Sequence, residues 1–361
     1  MSRDGSAGLR HGWTTGACAT AATTAAYTAL LTGEFPDPVS IDLPGDKHPA
    51  FALATEHLTD GEARASIVKD AGDDPDVTHG ALVSARVTHG APGSGVVFRA
   101  GEGVGTVTKP GLPLAVGEPA INPMPRQFIR EHVAAVAREH GGTGDVVVEV
   151  SVENGAELAR KTWNPRLGIL GGLSILGTTG VVVPYSCSSW IDSIRRGIDV
   201  ARAAGREHVA GCTGSTSERV AQELHGLPED ALLDMGDFAG AVLKYLRRHP
   251  VPRLTVAGGI GKLAKLAEGH LDLHSARSQV SFTALADLVA EAGAGPELVA
   301  GVREANTALD ALHQCQAAGL PLGDLVAAGA GRTAQGVLRG APVEVDVVVI
   351  DRAGTIVGRA G

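Results

Sequence analysis

An acidic loop at residues 69–80 carries side chains that can move a proton or hold a cation. Its aspartates, at positions 70, 73, 74 and 76, repel one another unless a positive group lies nearby. Asp70 follows a lysine and should stay ionised, whereas Asp73 and Asp74 crowd each other, which disfavours the charge on one of them. We therefore expect Asp73 or Asp74 to accept a proton, with His79 as a further acid or base. A solvated Asp-Pro turn without a catalytic role is the alternative.

A glycine-rich loop at residues 101–113 follows a predicted strand and could lie against a flat ligand. Its Gly-x-Gly-x-Gly pattern invites a nucleotide-binding interpretation. Pro110 and Pro113 exclude the Rossmann version, because they prevent the helix that must follow. Lys109 in the same loop could instead bind an anion.

A second glycine-rich stretch, at residues 163–186, contains almost no charge. Within it, a turn with exposed hydroxyls and free amides is predicted at Gly177-Thr178-Thr179-Gly180. Such backbone N–H groups suit an anion or the polar edge of a cofactor. A tight turn between buried strands is the alternative.

Two helices are predicted in the first half of the chain. An alanine- and threonine-rich run up to Leu31 follows Thr14 and Thr15, either of which can cap a helix there. The N-terminus of this helix would suit a carboxylate or phosphate, although the body could be a buried packing helix. The second helix is predicted over residues 127–140, after a proline-rich segment, and a strand follows over residues 146–152.

The second half of the chain repeats a strand, a glycine-rich loop and a helix. Strands are predicted at residues 208–212, 231–235 and 254–257, and Ser215 with Glu218 has capping-box spacing. Such units imply a parallel sheet with a ligand crevice at the carboxyl ends of its strands. We place the cofactor residues there and at the central turn: Gly177, Thr178, Thr179, Gly180, Asp234, Asp237, Gly258, Gly259 and Gly261. An alanine-rich helical region and a terminal β-hairpin complete the chain.

The composition is typical of a globular enzyme. The chain has 361 residues, of which 44% are hydrophobic and 20% charged, and its net charge is −9. This charge argues against nucleic acid as a partner, and no apolar run is long enough to span a bilayer. The first residues lack the apolar core of a signal peptide, so we expect a cytoplasmic protein. The four cysteines have no Cys-x-x-Cys spacing, and we expect no metal site.

Together these motifs resemble the cobalt-precorrin-5B C1-methyltransferase family of the anaerobic corrin (cobalamin) pathway. The resemblance runs from Gly12 to about Arg277 and rests on long, ordered motifs. They are Gly12-Trp13-Thr14-Thr15-Gly16, Lys69-Asp70-Ala71-Gly72-Asp73-Asp74-Pro75, Gly101-Glu102-Gly103-Val104-Gly105, Glu118-Pro119-Ala120-Ile121-Asn122-Pro123, Asn164-Pro165-Arg166, Gly177-Thr178-Thr179-Gly180, Gly261-Lys262-Leu263-Ala264-Lys265 and His274-Ser275.

The resemblance implies methyl transfer from S-adenosylmethionine to carbon 1 of a tetrapyrrole carrying acetate and propionate groups. Such an enzyme mainly needs to align its two reactants, helped by a base. We assign the substrate side to Thr14, Thr15, Lys69, Asp70, Glu102, Lys109, Arg126, Asn164 and Arg166. Methylation of a metal-free precorrin, a nucleotide-dependent oxidoreductase and a non-catalytic tetrapyrrole carrier are the alternatives.

We expect an α/β protein of two domains. Residues 1–180 should form an α+β domain on the tetrapyrrole side, and residues 181–361 a Rossmann-like domain with a mainly parallel sheet and a terminal hairpin on the cofactor side. The sequence leaves open whether the chain forms a homo-oligomer.

Overall fold

The computed structural model describes residues 8–361, which fold into two compact units. The first unit ends at Cys187, and the second comprises Ser188–Gly361. Both units combine helices with β-sheet, so the predicted α/β class is confirmed at this level.

The first unit combines a central sheet with short peripheral strands and helices. Its strands are β1 (Gly12–Trp13), β2 (Val39–Ser40), β3 (Ala50–Phe51), β4 (Thr55–Thr59), β5 (Glu62–Val68), β6 (Leu82–His89), β7 (Val96–Ala100), β8 (Thr106–Val107), β9 (Val146–Val152), β10 (Ile169–Leu170) and β11 (Val181–Val182). Its helices are α1 (Thr15–Thr32), α2 (Pro123–His140) and α3 (Gly155–Ala159).

The central sheet of the first unit has the strand order β4-β5-β6-β9-β7. Strands β4, β5, β6 and β9 pair antiparallel, and β7 pairs with β9 in parallel. Every second residue of β9 is a fully buried valine, so one face of this strand covers the core. Helix α1 packs against β5, β6 and α2 on this core.

Helix α1 is buried almost throughout, which its small residues make possible. All side chains of residues 15–27 are buried. Threonine hydroxyls in this helix donate to carbonyl oxygens one turn earlier, as in the 2.7 Å bond from Thr23 Oγ1 to Ala19 O. Thr14 caps the helix, since its Oγ1 accepts from Ala17 N at 3.2 Å. The buried threonines are therefore compatible with burial, because the hydroxyls of Thr20, Thr23 and Thr24 donate to their own helix and that of Thr15 bonds to Leu176.

Helix α2 begins earlier than predicted, at Pro123 rather than at Gln127. The first turn of a helix leaves its N–H groups unpaired, so a residue without an N–H loses nothing there, and the fixed φ of proline suits it. Pro123 is the first helical residue and Pro125 lies in the same turn. The prolines therefore belong to the first turn of this helix rather than to a segment before it.

The second unit is built on a longer series of helices. Its strands are β12 (His208–Cys212), β13 (Leu232–Asp234), β14 (Arg253–Gly259), β15 (Glu344–Ile350) and β16 (Ile356–Ala360). Its helices are α4 (Cys187–Ala203, which begins at the last residue of the first unit), α5 (Ser215–His225), α6 (Ala239–Leu246), α7 (Ile260–Ala267), α8 (Phe282–Glu291), α9 (Pro296–Arg303), α10 (Ala308–Ala317) and α11 (Leu322–Leu338).

The sheet of the second unit has the strand order β13-β12-β14-β15-β16. The first four strands run parallel, and β16 pairs antiparallel with β15 as the terminal hairpin. Strand β13 lies on one side of β12 and β14 on the other, so the chain reverses its direction of progress across the sheet at β12. In open α/β sheets, such a reversal leaves a crevice at the carboxyl ends of the two strands that flank it.

Helix α5 lacks the predicted capping box. It begins at Ser215, and the residue before it, Gly214, has an extended backbone with no side chain to cap the helix. A capping box would require Ser215 to precede the helix rather than to be its first residue, so this prediction is wrong. Ser217 Oγ instead donates to Gly214 O at 2.8 Å.

Candidate functional site

The acidic loop contains a buried ion pair between Lys69 and Asp76. The side chain of Lys69 is only 1% exposed, and its Nζ lies 2.7 Å from Asp76 Oδ2. Asp76 Oδ1 accepts from both the N–H and the hydroxyl of Thr78. Burial opposes the charge of Asp76, but the Lys69 ammonium and the Thr78 hydrogen bonds outweigh it and lower the pKa of Asp76. Lys69 therefore lacks the exposure that a direct contact with a substrate carboxylate needs.

Asp70 is paired with Arg10, which lies sixty positions earlier in the chain. The guanidinium contacts both carboxylate oxygens, and Gly72 N donates to Oδ1 at 2.9 Å. These hydrogen bonds, chiefly those from Arg10, lower the pKa of Asp70 to about 2. A carboxylate with so low a pKa is a weak base, so Asp70 anchors the loop, as its sequence position beside a lysine already indicated.

Asp73 and Asp74 hold two different segments against the loop. Asp73 Oδ2 accepts from Arg10 N at 2.6 Å, and Asp73 N donates to Arg10 O at 2.9 Å. Asp74 Oδ1 accepts from Tyr185 N at 2.8 Å. Asp73 is exposed and Asp74 is half-buried. Each carboxylate therefore has a backbone partner from a distant part of the unit, a contact that the sequence did not indicate.

His79 lies on the same loop as the aspartates. Its Nδ1 accepts from Ala71 N at 3.1 Å and is 3.8 Å from Asp70 Oδ1. When the ring is neutral, this acceptor role assigns the proton to Nε2. The structure therefore brings all three predicted proton-handling residues, Asp73, Asp74 and His79, into one loop.

The N-terminus of α1 is joined to the central glycine stretch. Thr14 N donates to Gly180 O and Gly16 N donates to Leu176 O, each at 2.9 Å. Thr15 Oγ1 accepts from Leu176 N at 3.0 Å. These amides therefore have protein acceptors, and Thr14 and Thr15 are buried, so the expected open anion site is not seen at this helix end.

Gly177 permits this joint, because a Cβ at its position would lie 2.3 Å from Thr14 Oγ1. The two threonines of the turn remain exposed. Thr179 Oγ1 bonds to the backbone of Val181, accepting from its N–H at 3.3 Å. The predicted cofactor residues Gly177 to Gly180 thus form a turn of the first unit.

Three of the predicted substrate residues lie on neighbouring loops. Strands β8 and β10 pair antiparallel. The side chain of Lys109 packs on Gly168, where a Cβ would lie 2.5 Å from Lys109 Cγ. Arg166, half-buried, is two positions before this glycine, and Asn164 O accepts from Ile169 N in the same loop. The structure therefore gathers Lys109, Asn164 and Arg166 around one turn.

Arg126 and Glu102 differ in their exposure. The Arg126 guanidinium donates to Ile121 O and Pro119 O and pairs with Glu118, so it braces the proline-rich segment. Glu102 is exposed in the loop after β7.

A groove of about 620 Å³ runs along α2 and contains none of the predicted site residues. Arg130 and Arg138 line it together with Ser94 and Thr143. The Arg130 guanidinium lies 5.1 Å from the centre of the Phe98 ring. Arginines two turns apart on one helix were the signal that could have indicated this basic groove.

In the second unit, loops from three parallel strands converge at the carboxyl edge of the sheet. After β12, Cys212 O accepts from Met235 N, which follows β13. Near the end of β14, Gly258 lies against Thr213, where a Cβ would be 2.7 Å from the threonine side chain. Lys262, on the first turn of α7, donates from Nζ to Thr213 O at 3.2 Å. Lys262 belongs to the predicted motif at residues 261–265, but no role was predicted for it.

Asp237 forms an ion pair with Lys262 at this edge. Lys262 Nζ lies 3.1 Å from Asp237 Oδ1 and also donates to Thr213 O, and its ammonium has three N–H groups, which is enough for both contacts. The Asp237 side chain is 24% exposed, so the lone pairs that Lys262 does not use are open to a further donor.

The other predicted cofactor residues of the second unit differ in their positions and surroundings. Asp234 is the last residue of β13. Gly259 immediately precedes α7, and a Cβ there would meet no atom within 4 Å, so the backbone is open to an approaching group. Gly261 instead faces helix α10, since its Cβ would lie 3.8 Å from that of Ala308. The sheet edge thus brings together Asp234, Asp237, Gly258 and Gly259.

A separate polar network lies towards the other ends of these strands. Thr255 Oγ1 is 2.8 Å from His208 Nε2 and 3.2 Å from His225 Nε2, and His225 Nε2 is 3.0 Å from Asp346 Oδ2. Burial lowers the pKa of His208 to about 4 and also lowers that of His225. Thr255 and Asp346 are almost fully buried, so the centre of this network lies in the interior of the unit.

Residues 8–361 contain neither a membrane-spanning helix nor a metal-binding cluster. No helix in this range is long and apolar enough to cross a membrane. No group of three or more His, Cys, Asp or Glu side chains in the same range could hold a metal ion.

A parallel sheet with glycines, a carboxylate and a lysine at its carboxyl edge is typical of α/β enzymes that bind a cofactor there. The chain belongs to the CbiD family, whose model matches residues 2–184, while a model described as the CbiD C-terminal domain matches residues 272–361. The resemblance found in the sequence is therefore confirmed.

Two similar proteins, each covering nearly the whole chain, have the same name. A protein of Paramagnetospirillum magneticum is 61% identical over 98% of both chains, and one of Rhodospirillum rubrum is 60% identical over 98% of both. Each is named cobalt-precorrin-5B C(1)-methyltransferase. A crystal structure of a cobalamin biosynthesis protein from Archaeoglobus fulgidus is 28% identical, covers 70% of this chain and 77% of its own, and superposes with a TM-score of 0.40.

Proposed function

We propose that this chain is a cobalt-precorrin-5B C(1)-methyltransferase of cobalamin biosynthesis. The observation that carries the proposal is identity of about 60% over nearly the whole length of relatives with this name. The reaction breaks the bond between a methyl group and the sulfonium sulfur and forms a bond to ring carbon 1, which gives cobalt-precorrin-6A. The electron pair of the broken bond stays on sulfur.

The methyl donor in this proposal is S-adenosylmethionine, which supplies an already activated methyl group. The second unit would be its Rossmann-like domain, and the carboxyl edge of the β12–β14 region its site. Two observations support the fit: Asp237 presents a partly exposed carboxylate at this edge, and the backbone at Gly259 is open. Asp237 would accept from a ribose hydroxyl, and Gly258 and Gly259 would let the ligand approach the backbone.

The first unit would bind the tetrapyrrole. Its acetate and propionate groups need cations and polar donors, and Lys109, Asn164 and Arg166 lie around one turn. The Asn164 side chain is buried and its amide donates to Gly172 O, so Asn164 would hold the turn, while Lys109, whose stem packs on Gly168, and Arg166 would bind the carboxylates. Lys69, Asp70 and Arg126 would support the neighbouring loops from their internal contacts.

The acidic loop would accept the proton that the macrocycle loses. Asp70 is too weak a base, since its pKa is about 2. Asp73 and Asp74 remain the candidates, with His79 beside them on the loop. Asp73 is the more exposed of the two aspartates and therefore the easier for a bulky substrate to reach.

Binding experiments separate this proposal from its alternatives. The purified chain is titrated by calorimetry with S-adenosylmethionine, S-adenosylhomocysteine, NAD and the tetrapyrrole cobalt-precorrin-5B. The proposal expects the first two to bind and NAD not to bind, and Asp237→Ala to weaken the binding. Binding of NAD alone would favour a nucleotide-dependent oxidoreductase. Binding of the tetrapyrrole without any binding of the methyl donor would favour a carrier.

A further inference from the structure

Trp190 is an exposed tryptophan fixed at the carboxyl end of β13. It lies on α4, and its side chain keeps 43% of its surface exposed. The indole Nε1–H donates to Asp234 O at 2.9 Å, which is the last carbonyl group of the strand. The polar edge of the indole is thus held by the backbone, while much of its apolar surface faces solvent and is open to a flat ligand.

The loop after β13 holds the indole on two further sides. Gly236 has φ of 53°, and a Cβ at its position would lie 3.1 Å from Trp190 Cζ2. The Phe238 ring centre lies 6.2 Å from that of Trp190, with the rings tilted by 59°. The residue between these two is Asp237, whose side chain is 24% exposed beside Lys262. An exposed aromatic surface and a partly exposed carboxylate therefore lie next to each other at the end of β13.

This combination matches a purine nucleoside, which presents a flat aromatic base next to a ribose with hydroxyl donors. We propose that Trp190 is the platform on which the adenine of the methyl donor stacks, while Asp237 accepts from the ribose. The inference rests on the proposed function and adds the residue that recognises the base. The Phe238 ring packs near the indole, and the bond to Asp234 O sets the orientation of the indole.

Intrinsic fluorescence tests the platform without any need for turnover. The chain has three tryptophans, and Trp163, in the first unit, serves as the matched control. S-adenosylhomocysteine and adenosine are titrated into the unmodified chain and into Trp163→Phe, Trp190→Phe and Trp190→Leu. We expect quenching in the first two and its loss in both Trp190 variants.

Calorimetry on the same samples measures affinity. Loss of a stacked aromatic should weaken binding of S-adenosylhomocysteine by about tenfold or more in Trp190→Leu. Trp190→Phe keeps a ring and should retain more affinity than Trp190→Leu. Circular dichroism and thermal melting verify that each variant folds, and the ligand-induced quenching of Trp163→Phe gives the readout if Trp190→Leu does not fold.

The outcomes distinguish the platform from the proposed function. Unchanged affinity in a folded Trp190→Leu, or no quenching in Trp163→Phe despite binding, would overturn the platform and leave the methyltransferase proposal standing. Failure of S-adenosylhomocysteine to bind the unmodified chain would overturn both.

Discussion

The aspartates of the acidic loop differ in the groups that their carboxylates contact. Arg10 holds Asp70 as a strongly acidic anchor, and Lys69 does the same for Asp76 from inside the unit. Asp73 and Asp74 accept only backbone N–H groups in the contacts described above. The aspartates with a cationic partner are therefore anchors, and Asp73 and Asp74 are the candidate proton acceptors.

Replacing the remaining aspartates tests this division. Asp73→Asn and Asp74→Asn keep the shape of the side chain and an acceptor for the backbone contact, but remove the base. The variant that removes the proton acceptor should lose about 100-fold or more in turnover at saturating S-adenosylmethionine. Near-full turnover in both folded variants would show that the loop is structural and that the base lies elsewhere.

The acidic loop could be predicted from the sequence, but the partners of its aspartates could not. Four aspartates within a few residues identify a charged site by their spacing alone. Arg10 reaches Asp70 from a distant part of the chain, and the burial of Lys69 depends on how the loop folds back on α1 and β5. Such long-range contacts leave no periodic signal in a single sequence.

At the scale of elements, the joint between α1 and the glycine stretch depends on the absence of side chains. Strands such as β9 and β12 were predicted with the bounds that the structure shows, because their apolar pattern is local. The start of α2 was missed, since prolines were interpreted as preventing a helix that they in fact begin. From the sequence, this joint could be predicted only as a glycine-rich turn, without its contact with α1.

Two glycine substitutions measure how much the joint contributes. Gly177 and Gly171 both have positive φ, at 133° and 86°, but only Gly177 packs against Thr14. Gly177→Ala should destabilise the protein by about 1–3 kcal/mol more than Gly171→Ala, because its methyl group enters the cap of α1. Urea unfolding of both variants gives the comparison, and equal losses of stability would mean that the joint is loosely packed.

At the scale of the whole molecule, the histidine network of the second unit makes stability depend on pH. The pKa of His208 is about 4 in the folded chain, below its ordinary value of 6.5. Between these values the unfolded chain binds the proton and the folded chain does not, so stability falls as the pH is lowered from about 6.5 to 4. His225, Asp346, Arg253 and Arg359 set the charge around this site.

Thermal melting between pH 5 and pH 7 measures this dependence. Aspartates with lowered pKa values lose their contribution mostly at lower pH, so the comparison with His208→Gln isolates the histidine. We expect the melting temperature of the unmodified chain to drop more steeply on acidification than that of the variant. Parallel curves for the two proteins would show that His208 is not the responsible group.

The most direct test of the account is methyl transfer by the full chain. Cobalt-precorrin-5B is incubated with S-adenosylmethionine labelled in its methyl group, and the products are analysed by mass spectrometry and NMR. If the chain is this methyltransferase, the product is a tetrapyrrole that carries one additional, labelled methyl group at carbon 1, and one S-adenosylhomocysteine is released per product. A chain that binds both reactants yet transfers no label, or labels another carbon, would contradict this assignment.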